Sequence, residues 1–144
     1  MEKAGLIVES FQDVRNQQIL QALGRFTKEY SPYDAEEFCN KLDTELGAHI
    51  ELLLRELRSG PPLSLEMARE DFVKCATRLR KTYLSQLIRD LRFVQQDAQE
   101  EGDEERVREL NAMIEQLTHD YLRIDRRFHA ATLFGRNQKE LHAR

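Results

Sequence analysis

From Val107 onward the apolar positions fall at Val107, Leu110, Ile114, Leu117, Tyr121, Ile124, Phe128 and Ala131. This three-then-four spacing keeps one narrow seam on one face of a helix, a heptad signature. The same rhythm runs through Leu84, Leu87, Leu91, Val94 and Ala98, and Glu101-Gly102-Asp103 separates the two runs. Gly102 supplies a flexible break between segments rich in good helix formers. Reflected about that turn, Ala98 falls opposite Val107, Val94 opposite Leu110, Leu91 opposite Ile114, Leu87 opposite Leu117 and Leu84 opposite Tyr121, in nearly constant register. The pattern predicts an antiparallel helical hairpin between Thr77 and Ala131. Two helices of at least about 20 residues make a rod roughly 30 Å long, at about 1.5 Å per residue.

Upstream, the periodicity is that of short amphipathic helices that need one another. Leu6, Ile7, Val8 and Phe11 form an apolar lead-in, a short turn or helix end, whose abruptness suggests a piece cut from a longer polypeptide. Asp13 is placed to cap a helix carrying Val14, Ile19, Leu20, Leu23 and Phe26, which ends before Ser31-Pro32. Asp34-Ala35-Glu36-Glu37 opens a short helix with Phe38 and Leu42 inward. Asp43 or Thr44 caps the next, whose stripe is Leu46, Ile50, Leu53, Leu54 and Leu57 and which closes at Gly60-Pro61-Pro62. Ser64 caps a long helix with an early stripe of Leu65, Ala68, Phe72, Cys75, Ala76 and Leu79 at the 3.6 period. At Leu84 the period tightens to 3.5, and Arg80 occupies the place that would continue the seam below it, so the seam is expected to change face there. No strand-like alternation occurs. The predicted fold is all-α, a small helical bundle (1–76) joined by a long shared helix to a C-terminal antiparallel helical hairpin (77–134), followed by a polar tail (135–144).

Composition sharpens this picture. The 144 residues fit one domain or a small bundle with an appendage, and a charged fraction of 33% suits long solvated helices. No apolar run has the roughly 20 residues a membrane span needs, and Met1 to Ser10 lacks the apolar core of a signal peptide, so a soluble, cytoplasmic protein is expected. Cys39 and Cys75, far apart, suggest neither a disulfide framework nor a zinc pair and read as buried or half-buried thiols. Residues 1–60 carry seven basic and eleven acidic side chains, and residues 61–144 carry fifteen of each. Within the hairpin the tip holds Asp97, Glu100, Glu101, Asp103, Glu104 and Glu105, three of which open the second helix where its dipole favours carboxylates. The base of the rod gathers Arg78, Arg80, Lys81, Arg123, Arg126 and Arg127.

The sequence carries no glycine-rich phosphate loop, no paired cysteines and no nucleophile elbow. Asp125 and His129 share a face at four-residue spacing but have no third ligand, and they read as a helix-surface pair. No catalytic residue, cofactor or metal site is predicted. The basic cluster invites a nucleic-acid reading. Against it, the chain is acidic overall at −4, and aromatic residues do not interleave with the arginines.

The informative residues are apolar ones the hairpin does not use. Phe93 and Leu122 fall on outer faces, Ile88 and Met113 on flanks, and Ile124, Phe128, Leu133 and Phe134 lie beyond the point where the first helix turns its seam away. Ile124 and Phe128 are expected to pack on the bundle. Phe93, Leu122, Leu133 and Phe134 are either scattered surface residues or partner anchors, and aromatic anchors beside arginines such as Arg123 and Arg127 have the composition of a protein interface.

One resemblance covers most of the chain. The run Leu87-Ile88-Arg89-Asp90-Leu91-Arg92, then Asp97-Ala98-Gln99-Glu100-Glu101-Gly102-Asp103-Glu104-Glu105, then Leu110, Ile114, Leu117 and Leu122-Arg123-Ile124-Asp125-Arg126, resembles the C-terminal helicase-binding domain of bacterial DnaG-type primases. Phe11-Gln12-Asp13-Val14-Arg15-Asn16, Ile19-Leu20-Gln21-Ala22-Leu23 and Pro61-Pro62-Leu63-Ser64 extend the likeness upstream. The resemblance implies a module that docks primase onto the N-terminal region of the replicative helicase ring, with a bundle related to the helicase's own N-terminal domain and a terminal hairpin making most of the contact. The family's first bundle helices look shortened or absent, since little precedes Phe11, and its zinc-binding and polymerase domains are missing. The implied module is non-catalytic, monomeric alone, and binds neither nucleic acid nor membrane directly. Its contacting residues would lie on the last helix; together with the unused apolar residues and their neighbouring arginines, the expected partner-binding set is Phe93, Leu122, Arg123, Ile124, Arg127, Phe128, Leu133 and Phe134. The rival readings are a helicase N-terminal domain or loader that self-associates, a coiled-coil adaptor unrelated to replication, and an enzyme with a carboxylate site hidden inside the bundle.

Overall fold

A computed structural model describes residues 6–29 and 34–131. Among them the chain is all-α: after a single 3-10 turn at Val8–Ser10 come α1 (Val14–Glu29), α2 (Ala35–Asn40), α3 (Thr44–Arg58), α4 (Leu65–Glu101) and α5 (Glu104–Ala131). The helix starts are set by side chains at the predicted positions. Asp13 Oδ1 accepts from the Arg15 amide at 2.9 Å, Asp34 from the Glu36 amide at 2.8 Å, Asp43 from the Leu46 amide at 2.9 Å, and Ser64 Oγ from the Met67 amide at 3.2 Å. Each satisfies an amide that the first helical turn leaves without a carbonyl partner.

The chain falls into two compact units, Ile7–Asp71 and the stretch from Phe72 onward, so the division lies within α4. In the first, the buried apolar side chains are Phe26, Phe38 and Leu46, one from each of α1, α2 and α3. The Phe26 and Phe38 rings meet at 5.4 Å between centroids, tilted by 58°, a favoured aromatic geometry. Asn16 and His49 tie α1 to α3 through a 2.9 Å hydrogen bond. The expected stripe on α3 is covered at one end alone. Leu46 is buried and Ile50 and Leu54 half-buried, but Leu53 is exposed and Leu57 is 65% exposed. Leu65, Ala68, Phe72 and Cys75 on α4 are likewise exposed, with Ala76 buried. Cys75 is therefore not the covered thiol its apolar neighbours suggested, while Cys39 is half-buried.

In the second unit α4 ends in a tight cap. Gly102 adopts φ 74°, its amide donates to Gln99 O at 3.2 Å, and the Asp103 amide donates to Ala98 O at 3.0 Å. This pair of bonds around a left-handed glycine is a Schellman motif. Asp103 at once caps α5, accepting from the Arg106 amide at 2.9 Å. Two side-chain pairs then cross from α4 to α5: Gln95 donates to Asn111, and Lys81 donates to Asp125. Both pairs are centred on Asp103, so the two helices run antiparallel. The pairs also lie two heptads apart on each helix, the interval a 3.5-residue repeat requires. Leu84 at 0% and Leu110 at 1% exposure are the most completely enclosed side chains, and Ala98 is buried near the turn.

Three details of the seam differ from the sequence reading. Val94 is exposed, and its neighbour Gln95 is the half-buried residue, bonded to Asn111. An apolar count favours Val94, but the register decides which of the two adjacent positions faces α5. Ile88, assigned to a flank, is half-buried alongside Leu87 and Leu91. Arg80 does not end the contact between the helices, because Lys81 one position on carries it to Asp125. The Arg80 guanidinium lies 5.5 Å from the Tyr83 ring centroid, with Nη1 buried and lacking a hydrogen-bond partner among the described residues. Leu133, Phe134 and the tail 135–144 lie outside the described residues.

Candidate docking surface on the α4–α5 pair

Lys81 organises the part of α4 and α5 farthest from the turn. Its ammonium donates to Asp125 and stands 5.3 Å from the Tyr121 ring centroid and 5.8 Å from that of Phe128. A cation over an aromatic face is attracted by the ring quadrupole. Donating to Asp125 raises the Lys81 pKa above its ordinary value against the opposing effect of burial. The same bond lowers the Asp125 pKa. The other Asp125 oxygen lies 3.5 Å from His129 Nε2. Asp125 thus lies between Lys81 and His129, and among the described residues no cluster of three or more His, Cys, Asp or Glu is placed to hold a metal ion.

This arrangement forms one wall of a cleft of about 370 Å³ lined by Arg78, Lys81, Thr82, Ser85, Arg89, Tyr121 and Phe128. Arg78, Thr82, Ser85 and Arg89 follow at steps of four, three and four along α4, which puts them in one row on a helix. The cleft combines cations, hydroxyls and ring edges, the chemistry of binding an anionic or amphipathic surface.

The six described members of the partner-binding set expected from the sequence do not form one patch. Phe93 on α4 is 67% exposed and Leu122 on α5 is 46% exposed, so both stand on outer faces. Arg123 and Arg127 are exposed one turn apart on α5, with Arg123 held to Asp120 at 3.0 Å. Ile124 and Phe128 are half-buried in the neighbouring row, and Phe128 is covered by Lys81 of α4. Leu122 and Ile124, two residues apart at 3.6 residues per turn, point to nearly opposite sides of α5. Among the described members of the expected set, Phe128 alone lines the cleft. Arg78 and Lys81 belong to the basic cluster expected from the sequence, whereas Thr82, Ser85 and Arg89 were not among the expected site residues. The signal that identifies them is the four-three-four spacing, visible when polar residues are read for periodicity as apolar ones were.

No described helix is long and apolar enough to cross a membrane. Comparison with protein-family models, curated protein sequences and solved structures found no match to this chain.

Proposed function

We propose that this chain is a non-catalytic docking module that couples a bacterial primase to the N-terminal region of the replicative helicase in the cytoplasm. The reading rests on the DnaG-type runs of α4 and α5. The observation that carries it is that Phe93 and Leu122, within or beside those runs, are large apolar side chains standing in solvent on a pair of helices whose own seam is already filled. Such residues are affordable on a surface when a partner covers them. Titrating the chain against the isolated N-terminal domain of a bacterial replicative helicase tests the reading, with saturable binding expected. The Phe93→Ala/Leu122→Ala double variant should bind at least about tenfold more weakly, a loss of about 1.4 kcal/mol, with helicity intact. Wild-type affinity in that variant discards the two anchors, and absence of binding by the unaltered chain discards the helicase partner.

A self-associating helicase domain or loader is the second reading, favoured by the exposed Leu53 and Leu57 of α3 and Leu65 of α4. Sedimentation of the full chain separates the two, since a stable homo-oligomer belongs to this second reading.

A further inference from the structure

The cleft beside Lys81 holds cations that the fold leaves unsatisfied. Lys81 is engaged by Asp125, but Arg78 and Arg89, at opposite ends of the row, make no hydrogen bond or ion pair among the described residues, and both are exposed. Eleven residues of helix, about three turns, separate their backbones by about 16 Å. Between them Thr82 and Ser85 offer hydroxyls, and Tyr121 and Phe128 supply the apolar side of the cleft. The Lys81 ammonium stands over both rings, which occupies the faces on which nucleobases would stack. The net charge of −4 likewise opposes a polyanion. A row at four-three-four spacing is the ridge against which another helix packs.

We infer that the Arg78–Arg89 cleft seats an amphipathic helix of a partner protein, with two acidic side chains eleven residues apart that meet Arg78 and Arg89 and apolar residues between them that rest on Tyr121 and Phe128. Guanidinium groups suit this role because they pair with carboxylates in a planar, two-pronged geometry. This deepens the docking reading and rests on it only for the partner being a protein. The test below uses an isolated peptide, so a wrong helicase assignment leaves the cleft's chemistry standing.

The probe is a fluorescently labelled 18-residue helical peptide with Glu at two positions eleven apart and Leu on the face between them, titrated by anisotropy into the full chain. Saturable binding is expected, at least tenfold weaker for the peptide with Gln at both Glu positions. The Arg78→Glu/Arg89→Glu variant should lose the Glu peptide by a similar factor and bind a Lys-for-Glu peptide instead. Circular dichroism checks that its helices persist, and if they do not, the Glu-to-Gln comparison on the unaltered chain still decides. Equal affinity for the Glu and Gln peptides overturns the inference, as does failure of the Lys peptide to recover binding on a folded double variant. Displacement of the peptide by oligothymidylate assigns the cleft to nucleic acid and overturns it too. Self-association that blocks the peptide and disappears in the double variant assigns the cleft to a second copy and has the same effect.

Discussion

The α4–α5 pair and the Ile7–Asp71 unit are built from the same kind of helix, amphipathic and heavily charged, yet they use their apolar stripes differently. In the pair, stripe and cover coincide: Leu84 and Leu110 are fully enclosed, and the α5 residues Val107, Ile114, Leu117, Tyr121, Ile124 and Phe128 are all half-buried along one line. In the other unit, burial centres on Phe26, Phe38 and Leu46, while Leu53 and Leu57 continue the α3 stripe into solvent. A periodic stripe therefore identifies an apolar face without identifying its cover. Where two stripes are joined by a short turn, the turn supplies the cover. Where they are not, coverage depends on contacts that spacing along the chain does not encode.

Five experiments would break or sharpen this contrast. The largest effect belongs to the enclosed leucines: Leu84→Ala and Leu110→Ala should each cost about 2–5 kcal/mol in urea denaturation, through lost burial and the cavity left behind. Leu57→Ala, on the uncovered part of the α3 stripe, should stay within about 0.5 kcal/mol. A Leu57→Ala loss as large as that of Leu84→Ala would erase the distinction between the two regions. Next is the turn. Gly102→Ala should cost about 1 kcal/mol, because the new Cβ meets nothing within 4 Å and the penalty is purely that of holding alanine at φ 74°. An unchanged midpoint would show that the cap relaxes freely. A comparable loss of about 1 kcal/mol is expected for Asp43→Ala, which removes the α3 cap in the other unit.

The smallest effects are electrostatic. Breaking the partly exposed Lys81–Asp125 pair with Asp125→Asn should cost less than any of these substitutions, since solvent screens it. Its pH dependence has two limbs. Asp125, lowered from 3.8 by the bond from Lys81, contributes stability that is present above that value and lost as pH falls through the lowered one. Lys81, raised from 10.5 by the same bond, contributes stability that is present below that value and lost as pH rises through the raised one. Thermal melts across both limbs should flatten in the Asp125→Asn variant. In the other unit, the Arg15 guanidinium and amide hold the Asp13 carboxyl down from 3.8 to about 2. NMR titration should find it still ionised at pH 3, whereas a midpoint near 4 would show that the Arg15 bonds do not form.

Much of the local architecture was legible in the sequence because it rests on local chemistry. Asp13, Asp34, Asp43 and Ser64 cap helices through their own short side chains, and Gly102 takes a backbone conformation that costs other residues energy. The face of α5 was equally readable from a single unbroken heptad run. What escaped was any choice between adjacent positions that a cross-helix partner makes, as with Gln95 over Val94 and Lys81 over Arg80. The cleft escaped for a related reason: its row is polar, and apolar periodicity does not register it. Tyr121 and Phe128 flank Arg123, Arg126 and Arg127 along the chain, but their place beside Lys81 of α4 is a cross-helix contact that the spacing did not show.

The pivot at Gly102 and Asp103 makes the arm adjustable in quanta. Lifting seven residues from α4 and the mirror-image seven from α5 would shorten it by about 10 Å while returning Lys81 to Asp125. Taking them from one limb alone would slide that lysine two turns past its acceptor and dismantle the cleft. Changes in reach that keep the cleft must therefore be made on both limbs together, so a partner geometry built on this surface can be retuned only in steps of a heptad.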